Sequence, residues 1–315
     1  MSQPNLSIRK TERFGMQRKI VANMTTESWQ NIPHASFVYE PDVTGFWNEW
    51  LRLKKLPEWE GISINSLMLY ACTQGFLAAP EMNAHLSFNR KLVAGTITQY
   101  NEVNISMPAA MSDGKMMTLN VRGCDSKTLR ELSDYIADLY RKMEKTNLDE
   151  AMYEVSFENT VRLLKKLKFP TILGRFAGLI PSRREIHRLK GQAKKDYAAL
   201  PSSERLTKHD IEQGTILISN LGSVYRGANN LPTIIDIIPP MVCAIALGSF
   251  ADKPGVITRP DGSTAIEPRK YLTFNINMDH RALDYDRIVP FMQRMDEIFA
   301  KPGVMEEWLV KTAKE

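Results

Sequence analysis

The sequence predicts an α/β fold in which a mixed β-sheet carries helices on one face. Strand-like and helix-like segments are interleaved along the 315 residues, and several strand-like neighbours are close enough to form hairpins. Hairpins create antiparallel pairs, whereas a doubly wound parallel sheet needs a crossover between strands, so a mixed sheet is favoured. Apolar residues make up 43% of the chain, which is enough for a sizeable core.

The first quarter of the chain contains three predicted helices and one strand. Residues 18–30 and 43–55 show apolar positions at helical spacing, on either side of a strand-like run at 35–43. Residues 63–79 are apolar nearly all round, which predicts a buried helix.

A hairpin and a long helix are predicted next. The turn at 112–114 indicates that the second and third of three strand-like runs form a hairpin, the runs being 91–100, 103–111 and 116–123. An amphipathic helix is predicted over 126–145, with Ser126 as its N-cap. In the last third, a closing helix at 286–301 follows strands predicted at 214–222, 241–250 and 270–280.

Residues 146–212 do not follow this pattern. Within them, segment 162–196 contains eleven Lys or Arg and two Asp or Glu, a net charge of +9 in a chain whose total is +5. The same segment includes an apolar stretch at 169–181. Two interpretations are open: a solvated helical hairpin, or a surface for acidic partners or a membrane face.

Composition excludes several classes of protein. The three cysteines are odd in number and widely spaced without a CxxC pair, which indicates a reducing compartment, no disulfide framework and no zinc site. The N-terminus has no apolar core of a secretory signal, and no stretch is long enough to span a membrane. A net charge of +5 is too small to indicate a nucleic-acid partner. A cytoplasmic protein is therefore expected.

The stretch NINMDHRALDYD presents a candidate catalytic base. His280 ends a run in which apolar residues alternate, and Asp284 follows four residues later. A neutral imidazole at a strand end can take a proton from a thiol, hydroxyl or amine near neutral pH. The alternative is that Asp284 or Asp286 only caps the closing helix and that His280 is an incidental neighbour.

The other histidines have weaker contexts. His34 is compatible with a structural role or with lining a site. His85, His187 and His209 stand among polar residues and are expected to be plain surface residues.

A second strand end, in GTILISNLGS, places the hydroxyl of Ser219 before a glycine-containing turn. Acyl transfer requires a hydrogen-bond donor for the oxyanion that forms when a thioester carbonyl is attacked. The alternative is a strand followed by an ordinary turn.

These segments together resemble a known family. GTILISNLGS, IIPPMVCAIALGSF and NMDHRALD are similar, in order and spacing, to the catalytic domain of the dihydrolipoamide acyltransferases of 2-oxoacid dehydrogenase complexes, and more distantly to chloramphenicol acetyltransferase. GMQRKIVANM, NIPHASFVYEPDVT and VNISMPAAMSDGKMMTLNVRGCDSKTLREL extend the resemblance upstream. It implies a single catalytic domain over 1–315, a chloramphenicol acetyltransferase-like two-layer sandwich, with a helical insertion at about 146–212.

The resemblance also implies residue roles. His280 matches the general base, Ser219 the hydroxyl that stabilises the oxyanion, and Asp284 a structural aspartate that pairs with an arginine, here Arg18. A coenzyme A (CoA) thioester is the implied co-substrate, no metal is required, and transfer is direct. The family further implies a homotrimer in which the histidine of one subunit faces the serine of its neighbour.

The chain departs from the family at several points. Tyr285 stands where the family has a glycine after the aspartate. No lipoyl domain, subunit-binding domain or covalently bound lipoyl group is expected, and the charged C-terminus favours an isolated trimer.

Three functions remain open. The first is a stand-alone acyltransferase that uses acyl-CoA or a carrier-protein thioester, with segment 162–196 binding an acidic acyl carrier protein or a membrane surface. The second is transfer to dihydrolipoamide on a separate lipoyl protein. The third is a catalytically inactive trimeric scaffold, for which Tyr285 is the main support.

Overall fold

The computed structural model describes residues 7–112, 114–152, 189–225, 227 and 230–310. The helices are α1 (Met16–Asn31), α2 (Thr44–Leu53), α3 (Ile64–Ala78), α4 (Leu129–Lys145), α5 (Gly191–Ala199), α6 (Lys208–Ile211) and α7 (Val289–Ala300). The strands are β1 (His34–Tyr39), β2 (Ala84–Asn89), β3 (Ala94–Gln99), β4 (Ile105–Ala110), β5 (Met116–Val121), β6 (Ile216–Asn220), β7 (Cys243–Thr258) and β8 (Thr264–Asp279).

Six strands form one mixed sheet in the order β1-β8-β7-β6-β4-β5. Strand β6 runs parallel to both of its neighbours, β4 and β7, and the other pairs are antiparallel. Strands β2 and β3 form a separate hairpin. The predicted mixed sheet and the hairpin over 112–114 are therefore confirmed.

One face of the sheet carries the main core. Along β8 the alternate residues Leu272, Phe274, Ile276 and Met278 are buried in it, as period-2 alternation requires, together with residues of α2, α3, α4 and α7. Each fully buried side chain of this size contributes about 1.5–3 kcal/mol to folding. The predicted helical layer on one face is thus present.

Helix α1 belongs to the other face. Ile32, directly after α1, packs in a smaller cluster with Leu217 of β6 and Ala244 of β7. Residues Ile237 and Met241 complete this cluster. The second face of the sheet is therefore partly covered by α1 and by the segment that leads into β7.

The N-cap of α4 is Thr128, so the prediction of Ser126 was wrong. The Thr128 hydroxyl accepts a hydrogen bond from the Glu131 backbone N–H, and the Glu131 carboxylate accepts one from the Thr128 backbone N–H. This capping box satisfies two helix-end donors, whereas Ser126 lies in a 3₁₀ turn and bonds the Gly123 carbonyl.

Strands β7 and β8 are much longer than predicted and form a hairpin that continues to the pair Thr258–Thr264. Its distal half mixes charged, polar and apolar residues without regular alternation, so the sequence lacks the usual strand signal. The backbone pairing of the two strands continues through this half, and two ion pairs accompany it: Asp252 with Lys270 at 2.7 Å, and Arg269 with Asp42 at 2.7 Å.

The two flanks of the proposed insertion meet at one place. The Glu150 carboxylate accepts a hydrogen bond from the Leu189 backbone N–H at 2.8 Å, and the Leu206 N–H donates to the Thr146 hydroxyl at 2.8 Å. The apolar stretch 169–181, His187 and most of the basic segment 162–196 lie outside the described residues. Among the helices that the structure describes, none is both long and apolar enough to cross a membrane.

Candidate active site

Strand β8 delivers His280 to one end of the sheet. The strand ends at Asp279, which is 1% exposed, and His280 follows as an exposed residue. The His280 backbone N–H donates to the Pro33 carbonyl at 3.1 Å, so the pairing with the β1 side continues one residue beyond the strand. The sheet therefore holds the backbone of His280, while its imidazole ring remains accessible.

The ring of His280 has a defined orientation. Its Nδ1 lies 3.1 Å from the Leu283 carbonyl oxygen. A carbonyl can only accept, so Nδ1 carries a proton, and in the neutral ring Nε2 has the lone pair. The His280 side chain is 54% exposed, which leaves Nε2 available to an incoming acceptor.

Asp284 contacts His280 but not Arg18. An Asp284 carboxylate oxygen lies 3.5 Å from His280 Nδ1, and the Asp284 side chain is 80% exposed. Arg18 lies exposed on α1 and forms no ion pair with any residue that the structure describes. The expected Arg18–Asp284 pair is therefore not formed within this chain, because the short turn after β8 brings Asp284 back to its i−4 neighbour.

A buried ion pair flanks His280, and sequence reasoning missed it. The Asp279 carboxylate accepts two hydrogen bonds from the Arg281 guanidinium, at 2.9 and 2.5 Å, and a third from the Arg281 backbone N–H at 3.0 Å. The guanidinium also lies over the Phe88 ring of β2, 5.4 Å from its centroid. The sequence signal that could have indicated this ion pair is the run Asp-His-Arg at the end of a buried strand.

Ser219 lies near the end of β6, paired with Ala246 of β7. Strand alternation points its side chain to the sheet face opposite buried Ile218. Its hydroxyl forms no hydrogen bond with any of the described residues, so the O–H remains free to donate.

The turn after Ser219 is fixed by close contacts. The Asn220 side-chain amide donates to the Asn65 side-chain oxygen near the start of α3 at 2.8 Å, and accepts from the Ser223 N–H at 3.1 Å. A Cβ atom on Gly222 would lie 2.4 Å from the Gly248 carbonyl oxygen, so only glycine allows the turn to pack this closely on β7.

Ser219 and His280 are far apart within one chain. Ser219 is in register with Ala246, and Ala246 with Asn275 of β8, five residues before His280. Five residues along a strand and two strand spacings separate the two Cα atoms by roughly 20 Å. A single subunit therefore does not bring the two side chains into one site.

Two other histidines have structural roles. The His34 Nδ1 donates to the Ile32 carbonyl at 2.9 Å, and its Nε2 accepts from the Ile237 N–H at 3.2 Å. His85, expected at the plain surface, is half-buried: its Nε2 donates to the Gly214 carbonyl at 3.0 Å and its Nδ1 accepts from the Tyr100 hydroxyl at 3.0 Å. Burial lowers the pKa of His85, which keeps it neutral.

Thiol and metal chemistry find no support in the described residues. Burial raises the pKa of each cysteine thiol, Cys72, Cys124 and Cys243, to about 12, so none is a ready nucleophile. Within the described ranges, no group of three or more His, Cys, Asp or Glu is arranged to hold a metal ion.

Tyr285 is accommodated at the surface. Its ring lies against Phe37 of β1, with ring centroids 4.8 Å apart, and it is 49% exposed. The side chain thus covers the edge of β1 beside the turn that carries His280 and Asp284.

A curated protein is similar to most of this chain. The chain is 22% identical over 302 residues to the dihydrolipoyllysine-residue acetyltransferase component of the pyruvate dehydrogenase complex of Zymomonas mobilis. The match covers 94% of this chain but only 51% of that protein, so the chain spans about half the length of this relative.

Solved structures share the fold. A probable dihydrolipoamide acetyltransferase from Listeria monocytogenes superimposes with a TM-score of 0.62 at 18% identity, covering 97% of both chains. A truncated catalytic core of the 2-oxoacid dehydrogenase complex of Thermoplasma acidophilum gives a TM-score of 0.59 at 16% identity, covering 93% of this chain and 99% of that one.

A family model described as 2-oxoacid dehydrogenases acyltransferase (catalytic domain) matches residues 7–157 and 183–306. These two segments include both strand ends that carry Ser219 and His280. The chain belongs to the family of 2-oxoacid dehydrogenase acyltransferase catalytic domains.

Proposed function

We propose that the protein transfers an acyl group from a CoA thioester, or from a carrier-protein thioester, directly to a hydroxyl, amine or thiol acceptor. The observation that carries this proposal is the orientation of His280. Because Nδ1 donates to the Leu283 carbonyl, Nε2 of the neutral ring carries the lone pair of a base at the end of β8.

His280 and Ser219 divide the work of the reaction. His280 Nε2 removes the proton of the acceptor as it attacks the thioester carbonyl. The Ser219 hydroxyl donates to the oxyanion that develops on the carbonyl oxygen. When the tetrahedral species collapses, the carbon–sulfur bond breaks, and His280 returns the proton to the departing thiolate, so no acyl group is attached to the protein.

This division requires a second subunit. The distance of roughly 20 Å between the two residues in one chain is far greater than a single acyl carbon can bridge. We infer a homotrimer in which His280 of one copy faces Ser219 of the next, which gives each assembly equivalent sites at its interfaces.

A groove between α2 and α3 carries two lysines of the kind that bind phosphates. It has a volume of about 480 Å³ and is lined by Lys54 and Lys55, with Trp50 and Trp59 among its other residues. Both lysines are exposed and form no ion pair with the part of the chain that the structure describes. The Asn65–Asn220 hydrogen bond ties the helix that follows this groove to the strand end carrying Ser219. The two tryptophans are buried in the core, so the unpaired ammonium groups are what suits the groove to phosphates.

The relatives favour dihydrolipoamide as one acceptor to test. The Zymomonas mobilis relative is named as a dihydrolipoyllysine-residue acetyltransferase, and a structural relative from Azotobacter vinelandii was studied for the catalytic role of a serine, a histidine and an asparagine. The Azotobacter vinelandii structure matches this chain with a TM-score of 0.60 at 18% identity. A thiol acceptor on a separate lipoyl protein is therefore the second candidate beside other hydroxyl and amine acceptors. The proposed role of segment 162–196 in binding an acidic carrier protein or a membrane surface stays a prediction.

The test is release of free CoA followed by chromatography of the products. Acyl-CoAs of increasing chain length are offered with dihydrolipoamide and with a lipid extract as acceptors. His280→Ala is compared with the wild type and with His209→Ala, a control at an exposed histidine that pairs with Glu212. We expect acceptor-dependent CoA release that falls by about 10²–10⁴ in His280→Ala only. Equal release in all three proteins contradicts the proposal.

A further inference from the structure

The turn that carries His280 is held by a buried ion pair and by an aromatic ring from another hairpin. Asp279 is almost completely buried, and its carboxylate receives both nitrogens of the Arg281 fork and the Arg281 backbone N–H. A bidentate Arg–carboxylate pair fixes geometry as well as charge. The backbone from Asp279 to Arg281 therefore has little freedom to rotate.

The same turn supplies the acceptor for the His280 ring. The backbone N–H groups of Ala282 and Leu283 donate to the Asp279 carbonyl at 2.9 and 3.1 Å. This closes the turn and aims the Leu283 carbonyl at His280 Nδ1. Loosening Asp279 or Arg281 would move the carbonyl that selects the tautomer.

The hairpin β2–β3 completes the support. Phe88 of β2 lies over the Arg281 guanidinium. The hairpin is itself fixed to the start of β7, because the Leu86 N–H donates to the Pro240 carbonyl at 2.8 Å and the Val242 N–H to the Ala84 carbonyl at 3.2 Å. Val242 in turn accepts from the Asp279 N–H at 2.8 Å. Hairpin, β7 and the end of β8 thus form one connected unit.

We propose that Asp279, Arg281 and Phe88 are positioning residues for His280. They hold the turn so that the Leu283 carbonyl keeps the proton on Nδ1 and leaves Nε2 free as the base. None of the three contacts the reacting atoms, and their role in catalysis rests on the proposed function. Their effect on the His280 tautomer does not depend on the proposed function.

The test combines imidazole NMR with steady-state kinetics. Long-range ¹⁵N–¹H spectra assign the tautomer of His280, identified by the signal that disappears in His280→Gln. Two matched variants are compared at Phe88: Phe88→Tyr keeps an aromatic face over Arg281, and Phe88→Leu removes it while keeping an apolar side chain. Arg281→Lys loses the fork but keeps the charge. Leu92→Ala, at the exposed tip of the same hairpin, is the control.

We expect the wild type, Phe88→Tyr and Leu92→Ala to show the Nδ1–H tautomer. In Phe88→Leu and Arg281→Lys the Nε2–H form should gain population, and kcat should fall by about 10- to 100-fold while KM for the acyl donor is kept. Asp279→Asn should show the largest change. If it does not fold, the Phe88 and Arg281 variants still decide the question.

An unchanged tautomer and an unchanged kcat in Phe88→Leu and Arg281→Lys overturn the positioning role. Failure of the proposed function gives a different result: the tautomer responds to the variants as expected, but no acceptor-dependent CoA release occurs in the wild type.

Discussion

Ser219 is in register with Asn275 two strands away, whereas His280 lies five residues further along β8. The proposed base and the proposed oxyanion donor therefore lie toward opposite ends of the same sheet. Each residue lies at or near the end of a strand, and neighbouring residues of the same chain fix the backbone around it. The proposed reaction therefore requires the histidine end of one copy and the serine end of another.

Removal of the Ser219 hydroxyl should affect the transition state more than substrate binding. In Ser219→Ala, the oxyanion loses a donor, so kcat should fall by about 10²–10³ with little change in KM. The control is Ser223→Ala in the same turn, whose hydroxyl donates to the Asn220 carbonyl at 2.6 Å. Steady-state kinetics with acyl-CoA separate the two parameters. Equal effects of the two substitutions would remove Ser219 from the mechanism.

Tyr285 should be dispensable for the reaction. Its ring packs on Phe37, so Tyr285→Gly uncovers an apolar edge and adds backbone freedom, which should lower the free energy of unfolding by about 1–2 kcal/mol. Because His280 is oriented by Leu283, CoA release should persist. Chemical denaturation and the CoA assay measure the two effects. Inactivity of the wild type combined with activity of Tyr285→Gly would support the scaffold hypothesis instead.

His85 should make stability depend on pH. Its pKa is lowered in the folded protein by burial, so the unfolded chain binds the proton more tightly. Stability should therefore fall as the pH drops through the ordinary value of 6.5 toward the lower folded pKa. Urea denaturation between about pH 7.5 and 5.5 should show a smaller fall in His85→Gln than in the wild type. The exposed His209→Gln variant should behave as the wild type, and a wild-type slope in His85→Gln would contradict this role.

The capping box at α4 should contribute measurably to stability. Thr128→Ala removes the acceptor of the Glu131 N–H and should cost about 1 kcal/mol. Ser126→Ala is the matched control, because Ser126 lies outside the helix. Thermal or chemical unfolding of the two variants provides the comparison. A larger loss in Ser126→Ala would mean that the cap is assigned to the wrong residue.

Strong local patterns made most of the fold predictable. The buried helix predicted over 63–79 is α3, and the alternation of Leu272, Phe274, Ile276 and Met278 identified the buried half of β8. The distal half of the β7–β8 hairpin could not be predicted, since its charged, polar and apolar residues do not alternate regularly. Strand β2 was missed although its apolar and polar residues alternate over six positions, which is the pattern of a half-buried strand.

The site was only partly predictable. Residue type and strand-end position are sequence properties, and they identified His280 and Ser219. The contacts between distant residues cannot be read from the sequence in this way. The Asp279–Arg281 ion pair depends on the burial of Asp279, and the contact with Phe88 depends on the placement of a separate hairpin. Within one chain Asp284 lies beside His280 rather than Arg18, which residue type and spacing do not determine.

The most direct test of the account is complementation between His280→Ala and Ser219→Ala. The two inactive variants are unfolded together, refolded as a mixture and assayed for acceptor-dependent CoA release. If each site combines His280 of one copy with Ser219 of its neighbour, random mixing restores intact sites at about a quarter of the interfaces, and activity should recover to about a quarter of the wild-type value. A mixture no more active than the separate variants would contradict a shared site at the subunit interface.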